Sequence, residues 1–151
     1  NAGVSAHTEA LTKALTNGIN LIDTSANYAD GGSEQLVGEV IADLVKSNRI
    51  VREQVVVISK GGYLQGNNYA LSQQRKKEGY PFAEIVEYAD GLEHCIHPGF
   101  LDDQIGRSLA RLSLTLPLTG WFGECYDAAA LAGRERHGDR GRLRGGEPDG
   151  Q

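Results

Sequence analysis

The chain has 151 residues, of which 40% are hydrophobic and 23% are charged, and its formal net charge is −5. These values are typical of one globular domain with a hydrophobic core, and the acidic balance argues against a nucleic-acid partner. No apolar run approaches the ~18 residues that span a bilayer, and no signal peptide is recognisable, so we expect a cytoplasmic protein without a membrane partner. The two cysteines, Cys95 and Cys125, follow no disulfide framework and are expected to be reduced.

Helices and strands alternate in the first part of the chain. Apolar residues at helical spacing predict a helix over 7–17, and a short strand follows over 19–23. A second apolar stripe predicts a helix that begins at Ser33. The β-branched run at 55–58 predicts a strand covered on both faces. This alternation indicates an α/β fold built from βα units with parallel strands.

The second part of the chain is less regular. Residues 61–97 are too long for an ordinary βα loop, and their five Tyr and Phe side chains predict a packed, irregular insertion. An apolar stripe predicts a helix over 98–112. Pro117 then interrupts the segment in which the next strand should run. From 133 to 151 there are five arginines and no lysine, a change of composition that predicts disorder.

Two charged residues close neighbouring predicted strands. Asp23 ends the first and Lys60 ends the second, while Tyr28 lies in the loop that leaves Asp23. Because the carboxyl ends of parallel strands share one face of an α/β barrel, the three side chains are expected to converge there.

This trio suits proton donation to a carbonyl. A free tyrosine has a pKa near ~10 and is a poor donor at neutral pH, but a lysine cation favours the phenolate and an aspartate keeps that lysine charged. The hydride must come from a cofactor, because no side chain supplies one. From spacing alone the simpler alternative stays open, in which Asp23 caps its loop, Lys60 is solvated and Tyr28 only packs.

Four segments carry more specific motifs, in order along the chain. They are residues 18–28 (GINLIDTSANY), 32–38 (GSEQLVG), 57–60 (VISK) and 100–112 (FLDDQIGRSLARL). Together they closely resemble the signature of the aldo-keto reductase family.

The resemblance implies a (β/α)8 TIM barrel, NADPH as the cofactor, and reduction of small-molecule aldehydes or ketones to alcohols. It gives Tyr28 the role of general acid, Lys60 that of the catalytic lysine, and Asp23 that of the catalytic aspartate. Asp23 is also expected to line the cofactor site, because the family's aspartate lies near the nicotinamide.

The sequence departs from the family in two respects. The family's fourth catalytic residue, a histidine on the next strand, has no counterpart in 114–123, and His137 matches no motif. A complete barrel also needs about 250 residues. We therefore expect residues 1–115 to be a partial barrel with the 61–97 insertion, and 116–151 to be a divergent tail that arose by truncation or a reading-frame slip.

Other interpretations remain open. The missing histidine favours a non-catalytic barrel relative that senses a cofactor or serves as a regulatory subunit. The Arg/Gly-rich run at 140–146 resembles RNA-binding segments, although the net acidity opposes a nucleic-acid partner. The triplet His94-Cys95-x-His97 lacks a second pair of ligands, so no metal site is predicted.

Overall fold

The computed structural model describes residues 2–113, 120–123 and 126–127. The helices are α1 (Ala2–Thr16), α2 (Gly32–Lys46), α3 (Gly66–Lys77) and α4 (Pro98–Leu112). The strands are β1 (Leu21–Asp23), β2 (Val56–Gly61), β3 (Tyr63–Leu64), β4 (Val86–Ala89), β5 (Leu92–His94), β6 (Gly120–Gly123) and β7 (Tyr126–Asp127). None of the helices in these ranges is both long enough and apolar enough to cross a membrane.

The main sheet has the strand order β1-β2-β6-β7. Strand β1 pairs with β2 in parallel, with Asp23 opposite Ile58, and β2 pairs with β6 in parallel, with Lys60 opposite Phe122. Helix α2 connects β1 to β2, and α4 precedes β6. The predicted α/β fold with parallel strands is therefore confirmed.

Helices α1, α2 and α4 cover one face of this sheet. Ile22 and Val57 point into that face and are buried, and they pack with the apolar stripes of α1 and α2 and with Leu112 of α4. Residues of β2 alternate between buried and half-buried, so the prediction that residues 55–58 are covered on both faces is wrong for the part of the chain described. Leu21, next to Ile22 along β1, is 54% exposed on the open face.

Helices α2 and α4 approach closely at one glycine. A side-chain carbon placed on Gly38 would overlap the backbone carbonyl of Leu112. The absence of a side chain at Gly38 therefore permits the close approach of α2 and α4.

The segment 61–97 forms a second layer, which we call the insertion layer. Its antiparallel strands have the order β3-β5-β4, and α3 packs beside them. The core of this layer includes Leu64 and Phe82, whose ring meets that of Phe100 edge-on at 5.1 Å between centroids. Packing is confirmed, but the prediction of an irregular segment is wrong. Helix α3 is mostly polar and β4 is exposed along its whole length, so neither has the apolar periodicity that predicts an element.

Element boundaries also differ from the predictions. Helix α1 begins at Ala2, earlier than the predicted helix over 7–17, and ends at Thr16. The strand that follows α4 runs over Gly120–Gly123, after the interrupting Pro117. Pro117 itself and the segment 133–151, with its predicted disorder, lie outside the described residues.

Candidate functional site

Asp23 and Lys60 meet at the carboxyl ends of two parallel strands. Asp23 is the last residue of β1, and Lys60 is the last but one of β2. The Lys60 ammonium forms an ion pair with Asp23 Oδ1, and Lys60 Nζ also donates a hydrogen bond to the Thr24 carbonyl oxygen at 3.1 Å. The strand register thus places this cation at the edge of the sheet where β1 and β2 have their carboxyl ends, as the sequence predicts.

Tyr28 lies over the same cation. It begins a short 3-10 helix, Tyr28–Gly31, and the centroid of its ring is 5.1 Å from Lys60 Nζ. The Tyr28 side chain is half exposed, so solvent or a ligand can reach it. The structure therefore brings together all three side chains that the sequence singled out.

The loop between β1 and Tyr28 follows the edge of β2. The Thr24 backbone N–H donates to the Ile58 carbonyl at 2.8 Å, and the Ala26 N–H donates to the Lys60 carbonyl at 3.3 Å. These bonds continue the strand pairing beyond Asp23, which fixes the path of the backbone that leads to Tyr28.

The charge of Lys60 is set by opposing effects. Partial burial lowers the pKa of Lys60, but the hydrogen bond and negative charge of Asp23 raise it, with a smaller contribution from Tyr28. The net result is a pKa above the ordinary value of lysine. Lys60 therefore stays cationic at neutral pH.

A cleft of about 150 Å³ opens beside Tyr28 and Lys60. It is lined by Ser25, Asn27, Tyr28, Lys60, Gly61, Tyr63 and Gln65. A cavity of this volume can hold one six-membered ring, whereas drug-sized or dinucleotide ligands need ~300–1,000 Å³. The described residues that line the cleft therefore have room for a carbonyl group or a single ring beside Tyr28 and Lys60, but not for a whole dinucleotide.

The sequence interpretation missed five of these lining residues, which are Ser25, Asn27, Gly61, Tyr63 and Gln65. Ser25 and Asn27 lie inside the motif of residues 18–28, so their position in the motif could have identified them. Tyr63 and Gln65 follow Lys60 closely, but they belong to the segment that was predicted to be irregular.

Polar contacts attach the insertion layer to the Tyr28 loop. Asn27 Nδ2 donates to the Tyr63 carbonyl at 3.0 Å, and Asn68 Nδ2 donates to Asn27 Oδ1 at 3.0 Å. The Asn67 N–H donates to Asp30 Oδ1 at 3.1 Å. The wall of the cleft that the insertion layer supplies is therefore held in place relative to Tyr28.

A buried carboxylate, that of Glu34, connects the strand that carries Lys60 to the helices packed against it. Glu34, at the start of α2, is fully buried and accepts a hydrogen bond from the Ser59 hydroxyl, next to Lys60 in β2. Arg111 of α4 donates from Nε to Glu34 Oε2 at 2.5 Å. This network ties two helices to the strand that carries Lys60.

The His94-Cys95-x-His97 triplet is distributed over three environments. His94 packs edge-on against Tyr63, and His97 Nδ1 accepts a hydrogen bond from the Gly99 N–H at the start of α4. Cys95 is buried, its thiol donates to the Ala83 carbonyl at 3.2 Å, and burial raises its pKa. Within the described ranges, no three His, Cys, Asp or Glu side chains are arranged to hold a metal.

The strand beside β2 carries no counterpart of the family's histidine. Strand β6 reads Gly-Trp-Phe-Gly and pairs with β2 along its length. The strand that lacks this histidine therefore lies next to β2, the strand that carries Lys60.

A comparison with known protein families agrees with this geometry. Residues 5–115 match the family described as Aldo/keto reductase. The matched range covers most of the chain and includes both strand ends and the helices that support them. This chain belongs to the aldo/keto reductase family of oxidoreductases.

Proposed function

We propose that the chain carries the proton-donor part of an NADPH-dependent enzyme that reduces aldehyde or ketone carbonyls to alcohols. The observation that carries the proposal is the Lys60 ammonium, which is paired with Asp23 and lies 5.1 Å from the centroid of the Tyr28 ring. Family membership supports the same reaction class. A small-molecule carbonyl substrate and a cytoplasmic location belong to this proposal.

NADPH, when bound, supplies the hydride that reduces the carbonyl carbon. Tyr28 donates its hydroxyl proton to the carbonyl oxygen, which becomes the alcohol oxygen, and solvent reprotonates the phenolate that is left. Lys60 stabilises that phenolate by its positive charge, and Asp23 holds the lysine in position. Asp23 would also line the nicotinamide end of the cofactor site, as the family resemblance implies.

We infer further that β1 and β2 are parts of a (β/α)8 barrel. Parallel pairing, helices on one face and an open face that includes Leu21 all support this inference. Residues 1–115, with the insertion at 61–97, would then be the barrel part of the chain, and 116–151 a divergent tail.

The test is a fluorescence titration of the full chain with NADPH, followed by turnover of an aldehyde. Tyr28→Phe should lower kcat by about 10²- to 10⁴-fold, because it removes the proton donor, and should leave the affinity for NADPH unchanged. Tyr80→Phe is the matched control, since Tyr80 is equally exposed but lies in the insertion layer outside the cleft.

The outcomes separate the candidates. Saturable NADPH binding with Tyr28-dependent turnover supports the reductase. Saturable binding without turnover in the wild type supports the non-catalytic, cofactor-sensing alternative. Turnover that is equal in the wild type and Tyr28→Phe contradicts the assignment of Tyr28 as the acid.

A further inference from the structure

The small sheet of the insertion layer has two unlike faces. Side chains alternate along strands, and Leu64 of β3 and Glu93 of β5 are buried on one face. Their neighbours Tyr63 and His94 lie on the other face, opposite each other in the antiparallel pairing. Val86 of β4 also pairs with His94, so this outer face continues across all three strands.

Aromatic rings dominate that outer face. The ring centroids of Tyr63 and His94 are 4.8 Å apart, and the Tyr88 ring lies 6.1 Å from Tyr63 and 6.2 Å from His94. The three rings are inclined to one another by 53° to 78°, so both faces and edges are presented. Tyr88 is 60% exposed. We call Tyr63, Tyr88 and His94 the aromatic wall.

The aromatic wall is continuous with the cleft. Tyr63 belongs to both, since it also lines the 150 Å³ space beside Tyr28 and Lys60. The hydrogen bond from Asn27 to the Tyr63 carbonyl fixes the wall relative to the proton donor. A molecule whose carbonyl occupies the cleft would therefore extend along the wall.

We propose that the aromatic wall makes the enzyme selective for carbonyl substrates that carry an aromatic ring a few bonds from the carbonyl. The cleft holds the carbonyl end, and the distal ring packs against Tyr88 and His94. Aromatic rings pack favourably in inclined and edge-to-face arrangements, which this wall provides at fixed positions. This inference rests on the proposed function, because it names the substrate class of the same site.

The experiment compares 3-phenylpropanal with 3-cyclohexylpropanal, two aldehydes of similar shape of which one has an aromatic ring. The full chain should prefer the phenyl compound in kcat/KM by roughly two- to tenfold, the effect of one aromatic pair. Tyr88→Leu should abolish that preference, whereas Tyr88→Phe should retain it. Tyr80→Leu is the control, because Tyr80 is exposed in the same layer but stacks on Arg75 instead.

Three results would overturn the proposal. One is a loss of equal size on both aldehydes in Tyr88→Leu, which would leave the preference unchanged and indicate that protein covers this face, above all if the melting temperature also fell. Another is a Tyr88→Leu variant that reduces both aldehydes as fast as the wild type. The third is a loss restricted to D-xylose as substrate, which would make the wall a sugar platform.

A binding measurement separates this proposal from the proposed function. Saturation-transfer NMR with 3-phenylpropanol needs no turnover. Binding that depends on the Tyr88 ring, in a chain that reduces no aldehyde, would refute the reductase and keep the wall. Turnover of both aldehydes without Tyr88-dependent binding of the alcohol would contradict the proposed role of the aromatic wall and support the reductase activity.

Discussion

The main sheet with α1, α2 and α4, which we call the parallel layer, and the insertion layer each bury one glutamate, and they neutralise it differently. Glu34 in the parallel layer accepts hydrogen bonds from Arg111 Nε and from the Ser59 hydroxyl. Glu93 in the insertion layer forms an ion pair with Lys76 and accepts hydrogen bonds from the Ser72 hydroxyl and the Gln73 amide. The first network joins two helices and a strand, whereas the second joins one helix to one strand.

The difference lies in how much each carboxylate depends on its cation. Apart from Arg111, Glu34 has one hydrogen-bond donor among the described contacts, the Ser59 hydroxyl, whereas Glu93 has two besides Lys76. Lys76 also divides its charge with the exposed Glu87, at 2.6 Å. Because an unpaired buried charge is costly, the parallel layer should be the more sensitive to loss of its cation.

Arg111→Met is expected to have the largest effect on stability. It leaves the fully buried Glu34 with a single hydroxyl donor, and breaking a buried ion pair in this way costs about 3–5 kcal/mol. Urea unfolding of the full chain measures the loss. Arg107→Met is the control, since Arg107 lies one turn earlier in α4 in a partly exposed pair with Asp103, and it should change stability by less than about 0.5 kcal/mol.

A double variant, Glu34→Leu with Arg111→Met, sharpens the same point. Replacing both partners of a buried pair by apolar side chains is often close to neutral, so most of the single-variant loss should be recovered. If the double variant were as unstable as Arg111→Met alone, the loss would come from packing around Arg111 and not from the unpaired carboxylate.

Lys76→Met should cost less, about 1.5–3 kcal/mol, because Ser72 and Gln73 still donate to Glu93. Burial raises the pKa of Glu93, but its three donors outweigh this and hold that pKa below the ordinary value. The stability that Glu93 contributes is therefore present above ~pH 4.3 and is lost as the pH falls through the lowered pKa. Without Lys76 that acid loss should begin at a higher pH, which hydrogen exchange in α3 would report; an unchanged onset would contradict the network.

Gly38→Ala tests the close approach of the two helices in the parallel layer. The added methyl group overlaps the Leu112 carbonyl, so α2 and α4 must separate at a cost of about 1–3 kcal/mol. Gly106→Ala is the matched control, because Gly106 is also within a helix but has open space around it. It should stabilise the chain by about 0.5–1 kcal/mol because alanine favours the helix, and a loss as large as that of Gly38→Ala would mean that the cost at Gly38 does not come from its contact with Leu112.

The two layers also differ in how far the sequence predicts them. Apolar stripes and a β-branched run identify α1, α2, α4, β1 and β2 in the parallel layer, although not β6 or β7. The order of strand ends correctly predicts that Asp23 and Lys60 meet. In the insertion layer α3 has no apolar stripe, and β4 is exposed throughout. Local patterns therefore carry no signal for either element.

Long-range pairing explains what else the sequence could not provide. Glu34 and Arg111 are 77 positions apart, and no local spacing relates them. Asn27 reaches Tyr63 over 36 positions, so the wall of the cleft depends on where the insertion layer folds back. The chemistry of Tyr28 can be predicted from motifs, but the surface that would meet the rest of a substrate needs the tertiary structure.

The exposed ion pair at the strand ends should respond least in stability and most in pH dependence. Lys60 and Asp23 keep 30% and 55% of their side-chain surface exposed, so Asp23→Asn should cost no more than about 1 kcal/mol.

Asp23 is the main influence that raises the pKa of Lys60, and burial, which lowers it, remains in the variant. The stability from the pair is present below the ordinary lysine pKa of ~10.4 and is lost as the pH rises through the raised value. In Asp23→Asn the alkaline limb of the kcat profile should therefore move to lower pH, because Lys60 loses its proton earlier and no longer stabilises the Tyr28 phenolate. Glu87→Gln, which removes an exposed carboxylate partner of Lys76, should leave that profile unchanged. An alkaline limb that stays in place in Asp23→Asn would exclude Lys60 as its origin.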